Sequence, residues 1–203
     1  MKEAISIQES VPIKWKTREE AYGVLGTGGI GVEVGVRRGL NARELYNRAK
    51  PDKLFLVDPW RGEKPHWSVS GALKAQPLWD ENCKITTNHF KNEIAAGKVF
   101  ICRNTGDEMK DVFPLESLAW CYVDGCHMFA HAFMDLYYYY RRIKPGGYLM
   151  AHDFCDEVEN GNVVLAVDLL RRIYPGIEIV GRSAETCSTI VMRIWEKEEL
   201  HWF

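Results

Sequence analysis

The chain has 203 residues, of which 46% are hydrophobic and 27% are charged, a composition typical of one globular domain with a sizeable core. Its 26 basic and 28 acidic side chains leave a formal net charge of -2, which favours neither a nucleic acid nor a membrane surface as a partner. The first residues are too polar for a signal peptide, and no apolar run reaches the roughly 18 residues that cross a bilayer. We therefore expect one cytoplasmic domain over residues 1–203, with six reduced cysteines rather than a disulfide framework or a zinc site.

Short apolar runs alternate with helical stretches along the chain. This alternation predicts an α/β fold with a doubly wound, mostly parallel sheet that has helices on both faces. An N-terminal helical or lid segment covers residues 1–25, and amphipathic helices are predicted over 40–49 and 129–143. The seven predicted strands are 30–36, 53–57, 98–102, 118–123, 147–151, 177–180 and 188–194.

A tryptophan-rich stretch over residues 59–82 interrupts the alternation. It contains Trp60, Trp67 and Trp79, follows a predicted strand directly, and is too long for an ordinary connection. Long connections of this kind are lids, binding loops or loose insertions. We favour a lid on the substrate side.

Two glycine patterns compete as a cofactor site. Gly26, Gly28 and Gly31 spell a literal G-x-G-x-x-G, but they precede a strand instead of following one, so a nicotinamide site there is the weaker interpretation. Gly35 and Gly39 lie between a strand and a helix, where a ligand can approach the backbone closely and meet the N–H groups of the helix terminus.

Two acids accompany the second glycine pattern. Glu33 can balance an amino or ammonium group near the turn, and Asp58 ends the next strand, where a carboxylate can accept both hydroxyls of a ribose. An acid at a strand end can also merely cap the following helix. The ordered spacing of Glu33, Gly35, Gly39 and Asp58 favours an adenosine-type cofactor.

At this point the sequence resembles the class I SAM-dependent methyltransferases, which carry E/D-x-G-x-x-x-G after their first strand and an acid after their second. The segments GVEVGVRRG and LFLVDPW supply both features, while CYVDGCH and IKPGGYLMAHDF resemble the branch of macrocin-type sugar and phenol O-methyltransferases. The resemblance runs from about Gly31 to Phe154. It implies a Rossmann-like, seven-stranded sheet whose last strand is antiparallel, and S-adenosylmethionine as cofactor.

The resemblance also implies a reaction centre at the ends of the fourth and fifth strands. Asp124 and Asp153 match metal-binding acids of that branch, so Asp124, His152 and Asp153 are a candidate site for Mg²⁺ or another divalent cation. The branch pattern DGDH reads DGCH here, with Cys126, and its paired acids read His152-Asp153. These departures leave open that no metal is used.

His127 is the preferred general base, assisted by Asp124 and Asp153, because a neutral imidazole accepts a proton near pH 7. It could instead cap the next helix. Asp124 is also expected at the cofactor, and the resemblance places the contact with adenine at Thr105, Gly106 and Asp107, a stretch that could alternatively be a polar turn.

Methylation of a hydroxyl on a small molecule, such as a sugar, phenol or other natural product, is therefore the leading hypothesis. We expect neither a nucleic-acid nor a membrane partner, and the pattern leaves a homo-oligomer open. A non-catalytic binder of SAM or adenosine is the first alternative, since the DGCH and His152-Asp153 departures fit an eroded reaction centre. An NAD-dependent oxidoreductase using Gly26, Gly28 and Gly31 is the second.

Overall fold

The computed structural model describes residues 5–61, 76–109, 111–155 and 161–195. These residues contain eight strands, because short β-branched and aromatic runs alternate with amphipathic helices. The strands are β1 (Ile13–Trp15), β2 (Ile30–Val34), β3 (Lys53–Val57), β4 (Val99–Cys102), β5 (Leu118–Val123), β6 (Ile143–Ala151), β7 (Ile177–Ser183) and β8 (Ile190–Ile194). The helices are α1 (Ile5–Ser10), α2 (Arg18–Ala21), α3 (Leu40–Ala49), α4 (Gln76–His89), α5 (Lys91–Ala95), α6 (Gly106–Met109), α7 (Phe129–Arg142) and α8 (Asn162–Ile173).

All strands belong to one sheet in the order β1-β7-β8-β6-β5-β2-β3-β4. Strand β8 runs antiparallel to both of its neighbours, and the other pairings are parallel. The doubly wound, Rossmann-like prediction with an antiparallel last strand is therefore confirmed. The expected count of seven strands was one too low, since β1 adds an edge strand beside β7.

Helices cover both faces of the sheet. Leu136 of α7 and Val167 of α8 are fully buried on one face, and Leu45 of α3 is fully buried on the other. The sheet order reverses between the neighbouring strands β2 and β5. Such a switch point opens a crevice at the carboxyl ends of the strands, where ligands bind in this architecture.

The first glycine pattern lies at the opposite edge of the sheet. The amide of Gly28 donates to the carbonyls of Ala49 (3.2 Å) and Lys50 (3.1 Å), at the end of α3, and so fixes the turn that enters the amino end of β2. Gly31 is required by packing, because a Cβ there would lie 2.1 Å from the ring of Trp120. These glycines serve the fold, and a dinucleotide site at them is not supported.

The tryptophan-rich stretch divides into different structures. Trp60 is fully buried, and its indole Nε1 donates to the carbonyl of Arg37 at 2.7 Å, so this residue anchors the loop in the core. From Gln76 onward the stretch is part of α4, which corrects the expectation of a loop up to residue 82. The predicted lid over residues 62–75 lies outside the described residues.

The N-terminal segment is helical in part, as expected. Helix α2 continues into a 3₁₀ turn over Tyr22–Leu25, which matches the helical pattern over 17–25. Among the described residues, no helix combines the length and apolar character that crossing a membrane requires.

Candidate active site

The turn after β2 presses directly against the end of β5. Gly35 has a φ of +87°, and a Cβ at this position would lie 2.0 Å from the carbonyl oxygen of Asp124. Its amide donates to the carbonyl of Val57 at 2.9 Å. Gly39 adopts a left-handed conformation as the cap of α3. The turn is thus held by backbone contacts to both neighbouring strands.

Glu33 is a buried carboxyl with one unused oxygen. Its Oε1 accepts a hydrogen bond from Nδ2 of Asn41 at 2.8 Å, whereas its buried Oε2 has no hydrogen-bond partner among the described residues. Burial raises the pKa of this carboxyl well above its usual range. The hydroxyl of Tyr22 in turn donates to Oδ1 of Asn41 at 2.5 Å. A donor or cationic group of a ligand would satisfy Oε2 and favour the ionised form of Glu33.

Asp58 ties the turn to the end of β3. Its Oδ2 accepts the amides of Val36 (2.9 Å) and Arg37 (2.8 Å), and its Oδ1 accepts the amide of Trp60 (2.7 Å). Each carboxylate oxygen offers two lone pairs. One acceptor position therefore remains on Oδ1, which suits one ribose hydroxyl rather than the two expected from the sequence.

The segment after β4 forms a capped helical turn. The amide of Thr105 donates to Oε2 of Glu108 (2.7 Å), and the amide of Glu108 donates to Oγ1 of Thr105 (3.2 Å), a reciprocal capping box. A Cβ on Gly106 would lie 2.2 Å from Oδ1 of Asp135, so close packing requires this glycine. Asp107 is exposed at the same edge of the sheet. The contacts of Thr105, Gly106 and Asp107 with adenine stay a prediction.

The reaction centre predicted from the sequence comes together at the ends of β5 and β6. Nε2 of His127 lies 2.7 Å from Oδ2 of Asp153 and 3.9 Å from Oδ1 of Asp124. Asp153 has a φ of +54°, a conformation that is uncommon for a residue other than glycine. The sheet pairs Val123 with Ala151, so residues that follow them in sequence meet at the same edge.

The two carboxyls of this cluster differ in acidity. Burial and the neighbouring Asp153 raise the pKa of Asp124 to about 7. Burial also opposes ionisation of Asp153, but the hydrogen bond and charge of His127 outweigh it, so the pKa of Asp153 lies below its usual range. Asp153 is therefore the ionised partner of His127 near neutral pH, while Asp124 divides between its two forms.

His152 is held in one orientation by two contacts. Its Nδ1 lies 3.1 Å from Oγ1 of Thr189, and its Nε2 lies 3.4 Å from Nη1 of Arg18. A guanidinium is always a donor. Nε2 is therefore the acceptor, and Nδ1 carries the proton towards Thr189. Burial lowers the pKa of His152, which agrees with a neutral imidazole.

The candidate metal ligands are close together but already have side-chain partners. Asp124, His152 and Asp153 offer ligand atoms that all lie within 4.8 Å of one another, a spacing that one ion could bridge. However, the nitrogen of His152 that faces away from Thr189 lies against Arg18, and Asp153 is paired with His127. The spacing fits a divalent cation, whereas the occupied donor atoms do not.

Several residues of this site were not predicted from the sequence. Arg18 and Thr189 reach His152 from segments that are 134 and 37 positions away, and nothing in their local sequence indicates this contact. The contact between Tyr22 and Asn41 likewise could not be predicted from the local sequence. Asn41 itself could have been found, because it lies in the first turn of the helix that follows Gly39, directly beside the glycine turn.

The chain was then compared with known proteins. A family model described as "Methyltransferase domain" matches residues 32–154, more than half of the chain. No curated protein sequence matches the chain. Among solved structures, a protein from Corynebacterium glutamicum is similar with a TM-score of 0.65 and 13% identity, over 97% of this chain and 91% of that chain.

Two other similar structures are named as O-methyltransferases. TomG from Streptomyces achromogenes, solved in complex with SAM, has a TM-score of 0.62 and 10% identity, over 88% of this chain and 80% of that chain. NovP has a TM-score of 0.63 and 17% identity over the same shares of the two chains. At these identities the likeness establishes the fold. Together with the family match, it confirms the resemblance drawn from the glycine turn and the strand-end acids, and the chain belongs to the methyltransferase-domain family.

Proposed function

We propose that this protein is an S-adenosylmethionine-dependent O-methyltransferase that acts on a hydroxyl of a small molecule. One observation carries the proposal: the backbone contact between Gly35 and Asp124 joins a cofactor turn to an acid–imidazole cluster. The two parts that methyl transfer needs, a cofactor site and a base, therefore lie at adjacent strand ends.

The residues around the turn fit this cofactor. The unpartnered Oε2 of Glu33 offers an acceptor for an amino or ammonium group, and the remaining position on Oδ1 of Asp58 offers one for a ribose hydroxyl. The amides of Val36 and Arg37 are already used by Asp58, so the turn contributes its shape rather than free donors. When bound, S-adenosylmethionine supplies a methyl group whose bond to sulfur breaks as its bond to the acceptor oxygen forms.

His127 is the group that takes the proton from the acceptor hydroxyl. Nε2 of His127 lies 2.7 Å from Oδ2 of Asp153, so in the neutral imidazole the proton belongs on Nε2 and Nδ1 is the basic nitrogen. Asp153 orients the ring and stabilises the imidazolium that forms when the proton arrives, as the acid does in other acid–histidine pairs. Asp124, with a pKa of about 7, adds negative charge beside the imidazolium when it is ionised.

An open cavity lies on the N-terminal side of the site. A cavity of about 390 Å³ lies between α2 and α3 and is bordered by Arg18, Asn41 and His89. Small-molecule sites commonly have volumes of about 300–1,000 Å³. The cavity touches Asn41, the partner of Glu33, and Arg18, the partner of His152, but none of Asp124, His127 and Asp153 lines it. Transfer to oxygen is further supported by TomG and NovP, which are named as O-methyltransferases.

Calorimetry followed by a transfer assay tests the proposal. We expect the purified protein to bind S-adenosylmethionine, and to bind it more weakly when Glu33 is replaced by Gln, which keeps the shape but removes the negative charge. Glu81→Gln, an exposed change in α4, is the matched control. A panel of phenols, sugars and hydroxy acids with methyl-labelled cofactor should then yield a labelled ether.

The outcomes separate the alternatives. Binding without labelled product from any acceptor would favour the non-catalytic binder, and absence of binding would overturn the proposal. No step described above depends on the divalent cation that the sequence leads us to expect.

A further inference from the structure

Arg18 is brought to the reaction centre by the N-terminal edge of the sheet. The amide of Ala184 donates to the carbonyl of Trp15 at 2.9 Å, which fastens β1 beside β7. Thr17 caps α2, and the amide of Arg18 donates to Oε2 of Glu185 at 2.8 Å. The start of α2 is therefore fixed by its N-cap and by a main-chain hydrogen bond. The guanidinium of Arg18 reaches His152 from there.

The guanidinium of Arg18 lies against the imidazole nitrogen that a metal ion would need as a ligand. Nδ1 of His152 is engaged with Thr189, which leaves Nε2 as the nitrogen that could bind a metal. Nη1 of Arg18 lies 3.4 Å from this nitrogen. A guanidinium keeps its charge at any physiological pH and donates planar hydrogen bonds to oxyanions. It therefore brings to the site the same sign of charge as a divalent ion.

The number of carboxylates agrees with a single positive charge. The candidate ligands supply two carboxylates, Asp124 and Asp153, and one imidazole, His152. Of these two carboxylates, Asp153 is already paired with His127 at 2.7 Å. Two carboxylates, one of them already paired, leave little negative charge for a divalent ion to balance.

We propose that Arg18 is the resident cation of the acceptor site and replaces a divalent metal ion there. This inference rests on the proposed function, and it deepens it by naming the acceptor class. A guanidinium at this position stabilises the negative charge that develops on the acceptor oxygen as His127 takes its proton. It favours acidic hydroxyls, such as those of phenols, and acceptors that carry a neighbouring carboxylate.

Manganese binding tests the proposal without any acceptor. The signal of free Mn²⁺ in electron paramagnetic resonance is titrated with the wild type, with Arg18→Ala and with Arg18→Lys. Removing a positive charge beside the three ligands should strengthen Mn²⁺ binding by about tenfold or more. Lysine keeps the charge and should bind Mn²⁺ as weakly as the wild type. Arg172→Ala, which removes an exposed arginine paired with Asp168, is the control.

The position of the new ion is checked by a second substitution. Adding Asp153→Asn to Arg18→Ala should abolish the gained binding, because Asp153 is one of the three ligands. Equal Mn²⁺ affinity of the wild type and Arg18→Ala, including no binding by either, would overturn the proposal. Calorimetry with S-adenosylmethionine on the same samples keeps this result separate from failure of the proposed function.

Discussion

The contact between Gly35 and Asp124 gives the sharpest prediction from this structure. Replacing Gly35 by Ala would place a Cβ 2.0 Å from the carbonyl oxygen of Asp124 and 2.7 Å from the amide nitrogen of Gly125. Both atoms belong to the backbone, so no side-chain rotation relieves the overlap. The ends of β2 and β5 must separate by about 1 Å to reach even a tight contact.

The expected cost has two parts. A left-handed conformation costs an alanine about 1–2 kcal/mol, and overpacking of a rigid contact costs about 1–3 kcal/mol more. Gly97→Ala supplies the control, because Gly97 also has a positive φ, of +67°, but a Cβ there meets no atom within 4 Å. We expect the free energy of unfolding to fall by about 2–5 kcal/mol in Gly35→Ala and by about 1–2 kcal/mol in Gly97→Ala.

Urea unfolding followed by circular dichroism measures the difference, and calorimetry measures cofactor binding. A displacement of about 1 Å at the turn should weaken binding of S-adenosylmethionine by about tenfold or more in Gly35→Ala and leave Gly97→Ala unchanged. If the two variants lose the same stability and bind the cofactor equally, the close backbone contact does not hold the site together, and the reasoning fails.

Three further substitutions test single groups. Asp58→Ala removes the acceptor of three amides, so it should lower the free energy of unfolding by about 2–5 kcal/mol in urea as well as weaken cofactor binding in calorimetry; a fully stable variant would contradict the hydrogen bonds. His127→Ala should lower kcat by about 10²–10⁴-fold with unchanged cofactor affinity, and wild-type turnover would remove His127 as the base. Asp124 binds a proton in the folded state between about pH 4 and 7 that the unfolded chain has released, so the stability of the wild type should fall as pH rises through this range. Asp124→Asn should lose this dependence, worth roughly 2–4 kcal/mol, and parallel pH curves from urea unfolding would refute the raised pKa.

The central strands could be predicted because their sequences carry their own signal. Strands β3 and β5 have the bounds predicted from the sequence, and their apolar residues are buried or half-buried. Strand β1 could not be predicted. Its three residues, Ile-Lys-Trp, are largely exposed, and they form a strand only because β7, far along the chain, offers a free edge.

The start of β6 also differs from the sequence-based prediction. Pro145-Gly146-Gly147 indicates a turn, yet β6 begins at Ile143 and continues through this segment. The register with β5 shifts between Leu118 and Trp120, which accommodates the irregular backbone at the proline. Tertiary pairing has overridden a local turn signal.

The part of the site that follows from the sheet topology could be predicted. The part that depends on the course of the N-terminal segment could not. Asp124 and Asp153 follow neighbouring parallel strands, and the carboxyl ends of such strands share one edge. His127 follows closely enough to be carried with them. Arg18 could not be placed, because its position depends on how the N-terminal segment crosses the sheet edge, and no local pattern records that crossing.

The attachment of β1 at the edge of the sheet separates two kinds of positions around the reaction centre. The acids and imidazoles follow interior strands, and substitutions in those strands disturb the core. Arg18 belongs to a peripheral segment that is held by a few backbone hydrogen bonds. If Arg18 acts as proposed, we expect acceptor preference to change through substitutions in that segment while cofactor binding is retained. For directed evolution, a library confined to α2 and its flanks is the economical place to begin.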